Sequence, residues 1–151
     1  MTLTPKESSL LSDLKSSEQL CIDKYAKGMN EACDPALKDL FSSLQSAEQS
    51  HLGTLNRILG GEEPQTMPAP TAMSQTFSSP PASCSQADKE KDALLCKDAL
   101  AMEKHVSSTY NVSIFEFKSP AVRDALAHIQ KEEQNHGQQL YQYLSQNGMY
   151  S

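Results

Sequence analysis

Hydrophobic residues recur at helical spacing along four stretches of the chain, and each stripe is broken by charged or ionisable residues near its middle. Over 35 to 59 the inward series reads Leu37, Leu40, Phe41, Leu44, Glu48, His51, Leu55, Ile58 and Leu59. A carboxylate and an imidazole thus occupy slots where a period of 3.6 calls for hydrophobes. Over 120 to 145 the series Val122, Ala125, Leu126, Ile129, Glu133, His136, Leu140, Tyr143 and Leu144 repeats the interruption. The stretch from about 5 to 33 carries Leu11, Leu14, Glu18, Cys21, Tyr25, Met29 and Ala32. That from about 87 to 117 carries Leu95, Ala99, Glu103, Val106, Tyr110, Ile114 and Phe117, again with one glutamate in a core slot.

Local signals place the boundaries. Thr4-Pro5-Lys6-Glu7 supplies an N-cap, a proline at the first helical position and the glutamate of a capping box. Asp34-Pro35 and Ser119-Pro120 each end one helix and cap the next, and Gly60-Gly61 and Asn147-Gly148 are stop signals. Asn111 to Phe117 is the least helical stretch of the four helices and is expected to be distorted. Between 61 and 86 the chain is rich in Pro, Ser, Thr, Gln and Met without periodicity, which predicts a long, flexible crossover. The expected architecture is all-α: one domain, a four-helix bundle made of a hairpin over 5–60, a crossover over 61–86 and a hairpin over 87–146.

The two hairpins repeat each other. At an offset of 85 residues Glu18 meets Glu103, Tyr25 meets Tyr110, Pro35 meets Pro120, Glu48 meets Glu133, His51 meets His136, and Leu55 meets Leu140. This is an internal duplication. Heights agree as well: Glu18 stands 16 residues before Asp34, with Glu48 and His51 14 and 17 after it. Glu103, Glu133 and His136 stand in the same relation to Ser119, so each hairpin brings Glu, Glu and His to one level.

Composition narrows the chemistry. A net charge of −6 and a pI near 5.1 argue against a nucleic-acid partner, which asks for a basic footprint. No basic amphipathic face suggests a membrane surface, and no run approaches the roughly 20 apolar residues of a membrane span. The first residues lack the features of a signal peptide, so synthesis and residence in the cytoplasm are expected. Cys21, Cys33, Cys84 and Cys96 form no C-x-x-C pair and are expected to be reduced thiols, Cys21 as a small core residue.

Four carboxylates at one level of an apolar interior repel one another, and each costs several kcal/mol to bury as an ion. Two metal ions remove both objections, and oxygen-rich donors completed by imidazole suit iron or manganese, with zinc the remaining candidate. Glu18, Glu48, His51, Glu103, Glu133 and His136 are therefore the candidate metal ligands. Tyr25 and Tyr110 read first as core aromatics with satisfied hydroxyls and second as hydrogen-bond donors to the ligands or redox neighbours, and His105 and His128 read as surface residues.

One Glu on each of two helices and Glu-x-x-His on the other two resembles the di-iron or di-manganese pattern of ferritin-like proteins. The resemblance covers residues 5 to 146 apart from the crossover and implies that Glu48 and Glu133 bridge two metals, with Glu18 and Glu103 terminal. A narrower likeness is to bacterial spore coat proteins of the CotF type. It is carried by Glu31-Ala32-Cys33-Asp34-Pro35-Ala36-Leu37-Lys38, Ser119-Pro120-Ala121-Val122-Arg123 and the ending Leu144-Ser145-Gln146-Asn147-Gly148-Met149-Tyr150. These resemblances imply a metal-binding coat component. A di-iron oxidase or peroxidase acting on dioxygen or peroxide is the alternative, and iron storage or detoxification ranks third. Expected partners are a second copy of the chain or a coat-protein assembly; a redox partner is not legible.

Overall fold

The structure is a computed structural model that describes residues 1–150. Four α-helices form it: α1 (Pro5–Glu31), α2 (Pro35–Leu59), α3 (Gln86–Ile114) and α4 (Pro120–Gln146). The capping signals act as the sequence implies, with Thr4 and Glu7 forming a capping box and Asp34 and Ser119 capping α2 and α4. Ser85 and Asp88 form a second capping box at α3. Gly61 and Gly148 adopt positive φ (90° and 66°) just past the ends of α2 and α4, a conformation glycine reaches without strain. Helix α1 is two residues shorter than expected, and α3 stops at Ile114. Phe117 is nonetheless buried in the core, beyond the helix end.

The repeat is visible in the hydrogen bonds. Gln45 donates to the carbonyl of Ile22 at 3.2 Å, and its counterpart Gln130 donates to the carbonyl of Ser107 at 3.1 Å. Lys38 reaches back to the Met29 carbonyl and its counterpart Arg123 to that of Phe117, so each second helix caps the first with a cation. Near the first turn, a Cβ on Gly28 would lie 2.8 Å from the Phe41 ring, so glycine is what lets α1 and α2 close there.

Helix α1 packs on α2 and α3, and α4 on α3 and α2. Tyr25 bonds Glu103 while Tyr110 bonds Glu18, so α3 runs antiparallel to α1. His51 faces Glu133 and His136 faces Glu48, so α4 runs antiparallel to α2. The order is up, down, down, up, and the crossover must travel the length of the bundle. It does so along α4. Asn135 donates to the Thr71 carbonyl, Gln142 and Gln146 accept from the amides of Gln75 and Phe77, and the Phe77 ring meets Tyr143 edge-on at 5.3 Å. Side-chain amides holding backbone groups leave no apolar period in the sequence, which is why these contacts are silent there.

The expectation of four reduced thiols is corrected. Cys21 and Cys96 are free and buried, Cys21 in the core as expected, but Cys33 and Cys84 form a disulfide. The fold brings the α1–α2 turn beside the foot of the crossover, with the two Cα atoms 6.0 Å apart although the residues lie 51 positions apart in the chain. No local spacing signals such a pair.

Asp92, on α3, is a further anchor. It is fully buried and accepts from the amides of Cys33 and Asp34, each at 2.9 Å. Glu7, its counterpart in the repeat, accepts from the amide of Lys118 at 3.0 Å. Each hairpin thus uses an acid near the start of its first helix to hold the turn of the other. Tyr143 completes the Asp92 corner by donating to Asp34 at 2.7 Å.

Candidate metal centre

The helical stripes carry the six candidate residues to one level of the core, where none is more than 5 % exposed. They fall into two overlapping groups. Glu18, Glu48, His51 and Glu133 each present a donor atom within 4.8 Å of the others, and so do Glu48, Glu103, Glu133 and His136. Glu48 and Glu133 belong to both groups. His51 Nδ1 lies 2.9 Å from Glu133 Oε1, 3.5 Å from Glu48 Oε2 and 3.8 Å from Glu18 Oε2. His136 Nδ1 lies 2.9 Å from Glu48 Oε1, 3.3 Å from Glu103 Oε1 and 3.6 Å from Glu133 Oε2. The imidazole rings are nearly parallel, 17° apart, with centroids separated by 5.8 Å.

Donors within the cluster are too few for its acceptors. Glu18 Oε2, both oxygens of Glu48, Glu103 Oε2 and Glu133 Oε2 are buried without a hydrogen bond; the short approach of His136 Nδ1 to Glu48 Oε1 is not aligned as one. Unpartnered buried carboxylate oxygens are costly, and cations are the groups that satisfy lone pairs without bringing hydrogens. The donor set of oxygens completed by two imidazoles suits a hard or intermediate metal ion.

The tyrosines tie the halves together. Tyr25 donates to Glu103 Oε1 at 2.5 Å and Tyr110 to Glu18 Oε1 at 2.6 Å, each crossing from one hairpin to the other. Burial first, then the adjacent carboxylates, pushes both phenols up, so they remain donors.

The sequence reading of His128 as a surface residue is corrected, and Glu132 is added. Glu132 Oε1 lies 3.0 Å from His51 Nε2 and 3.3 Å from Nε2 of half-buried His128. A proton on His51 Nε2, held by Glu132, leaves the Nδ1 lone pair facing the carboxylates. The repeat offers no hint of this contact, because Ala47 is the counterpart of Glu132. His105 is exposed, as expected.

Charge is held tightly. Burial pushes the Glu18 carboxyl up to about 8, against the pull of His51, and it likewise raises Glu133 well above the usual range. Burial also works against ionisation of Glu48, but the closeness of the His136 and His51 rings, at 2.9 and 3.5 Å, outweighs it and holds that carboxyl low. For His51 burial opposes the charged ring, yet Glu132, Glu133, Glu18 and Glu48 together raise it well above its ordinary value; Glu103, Glu133 and Glu48 do the same for His136. Without a cation, protons hold this cluster together.

Fold and cluster define a class: an all-α four-helix bundle built from two like hairpins around a buried carboxylate and histidine core. Residues 91–151, which include most of α3 and all of α4, match the family model described as the Coat F domain. The matched part contains Glu103, Glu133 and His136. No curated protein and no solved structure matches the chain.

Proposed function

We propose that the chain is a spore coat component that holds two metal ions, iron or manganese, at the level where its four helices meet. The observation that carries the metal reading is the sharing of Glu48 and Glu133 between two donor groups, each completed by its own histidine and its own outer glutamate. Glu18 and His51 would hold one ion, Glu103 and His136 the other, and Glu48 and Glu133 would lie between. Tyr25 and Tyr110 hold the outer carboxylates, and Glu132 would fix the tautomer of a metal-bound His51. The match of residues 91–151 to the Coat F domain supports the coat assignment. The Cys33–Cys84 disulfide also suits surroundings more oxidising than a reducing cytosol.

Metal analysis of protein purified from iron- and manganese-supplied cells tests the reading. About two ions per chain are expected, as two donor groups require. Replacing both His51 and His136 with Leu should abolish binding and leave helix content intact. Unchanged metal content in that variant sinks the site. Absence of the protein from purified spores sinks the coat assignment.

A second reading, oxidation or peroxide reduction, draws support from the ligand count. Four donor residues around each ion would leave coordination positions free. Glu18, Glu48, His51, Glu103, Glu133 and His136 would hold an iron pair able to supply electrons to dioxygen or peroxide, while Tyr25, Tyr110 and Glu132 would keep these ligands in place. Iron-loaded chain that turns over peroxide with a reductant, and loses this in the Glu48→Ala/Glu133→Ala variant, would favour it.

A further inference from the structure

Beyond Glu132 and its counterpart Ala47, the two hairpins differ in how they cover the cluster. Between α3 and α4 lies a groove of about 540 Å³ lined by Lys104, Ser107, Gly137 and Tyr141, with Glu103 and Glu133 at its floor. That volume falls within the roughly 300–1,000 Å³ of small-molecule sites. In a helix a side chain leans toward the N-terminus and covers the residue one turn before it. Position 137 therefore stands over Glu133, and position 107 over Glu103. In the first hairpin the same positions are Leu52, over Glu48, and Ile22, over Glu18. Ile22 is buried and Leu52 half-buried, so the first hairpin is capped by apolar side chains where the second has a hydroxymethyl group and a hydrogen.

Packing does not demand this glycine. A Cβ at position 137 would meet only Leu100 Cδ1, at 3.6 Å, an ordinary contact. Glycine in a helix interior costs about 1 kcal/mol relative to alanine. The missing side chain at Gly137 lets the groove reach Glu103 and Glu133, whose carboxylates are still buried at its floor.

We propose that this groove is the way by which a small ligand reaches the centre from outside, and that the α1–α2 side is closed by Ile22 and Leu52. Its floor residues are only 1 % exposed, so the ligand is a molecule of two or three heavy atoms. Lys104 and Ser107 give the mouth an ammonium and a hydroxyl, which favour an anionic or hydrogen-bonding ligand of peroxide size. This inference rests on the metal reading above.

Azide serves as the probe, followed by its absorption band on the iron(III)-loaded chain after bound iron has been counted. Gly137→Leu, which copies Leu52, should leave iron content unchanged and slow azide binding by about tenfold or more. Adding Leu52→Gly to that variant should restore the rate by opening the other side. Should Gly137→Leu fail to fold, Ser107→Ile blocks the same groove from α3 and carries the same expectation. Equal azide rates in wild type and a folded, iron-loaded blocked variant overturn the groove. They would direct attention to the cavity between Ala47, Thr71 and His136 on the α2–α4 side. A folded wild-type chain that binds neither iron nor manganese overturns the metal reading and this inference together, and the metal count separates the two failures.

Discussion

Tyr25 gives its hydroxyl proton to Glu103 at 2.5 Å, across the boundary between the two hairpins, and Tyr110 returns the contact to Glu18 at 2.6 Å. Each half therefore orients the outer carboxylate of the other. The contacts are related by the repeat, so they should be worth similar amounts. Tyr25→Phe and Tyr110→Phe are each expected to cost about 1–3 kcal/mol in the metal-free chain, since a buried acceptor loses its donor. Thermal unfolding reads this as a loss of about 2–4 °C per kcal/mol for a chain of this size. A large cost for one tyrosine and none for the other would contradict the pairing.

Protons and cations compete for the cluster, which fixes a pH dependence. Glu18, Glu133, His51 and His136 all have folded pKa values raised above their unfolded ones. The stability they contribute is present below the unfolded values, about 4.3 for Glu and 6.5 for His. It is lost as pH rises through the folded values, which for Glu18 is about 8. Glu48, Glu7 and Glu132 are lowered and act in the opposite sense, losing their contribution only at acid pH. The metal-free chain should therefore lose thermal stability from pH 6 to pH 9, whereas metal affinity should rise over the same range as protons leave the ligands. Calorimetric scans with and without metal check both slopes.

Asp92 accepts two buried amide hydrogens from the α1–α2 turn. Asp92→Ala leaves both without their acceptor and should cost about 3 kcal/mol or more, given about 1.5–3 for each bond to a charged group. Glu7→Ala, which removes one such bond from Lys118 and half of a capping box, should cost less. Chemical denaturation of the two variants ranks them, and the reverse order would show that the corners are not used alike.

The Cys33–Cys84 disulfide closes a loop of 51 residues, for which chain entropy gives about 4 kcal/mol as an upper figure. Cys33→Ser, or addition of a reductant, should lower the melting temperature and speed proteolysis within 61–86, while the helices stay resistant. Equal proteolysis with and without the bond would show that the contacts with Asn135, Gln142 and Gln146 alone hold the crossover.

The sequence made four helices and the meeting of six side chains legible because polar residues in apolar stripes are conspicuous. The second copy separated Glu48 and His51 from ordinary core exceptions. The same filter hid Glu132, whose counterpart is Ala47, and with it the link to His128. Asp92 escaped notice because α3 has the weakest amphipathic pattern, although its counterpart Glu7 was a visible clue. Cys33 and Cys84 carry no local signal, since only the return of the crossover to the α1–α2 turn places them together.

The exchange of anchors between the hairpins has a consequence for how the molecule can change. Tyr25 serves Glu103, Tyr110 serves Glu18, Glu7 serves Lys118, and Asp92 serves Cys33 and Asp34. Each half thus lacks, on its own, the groups that complete it. The two halves are built like complementary partners joined by one backbone. One half can diverge, as position 137 has from position 52, only where the other does not depend on it. Cut within 61–86 with the disulfide reduced, the two fragments should each be poorly folded alone and recover helix content when mixed, as measured by circular dichroism.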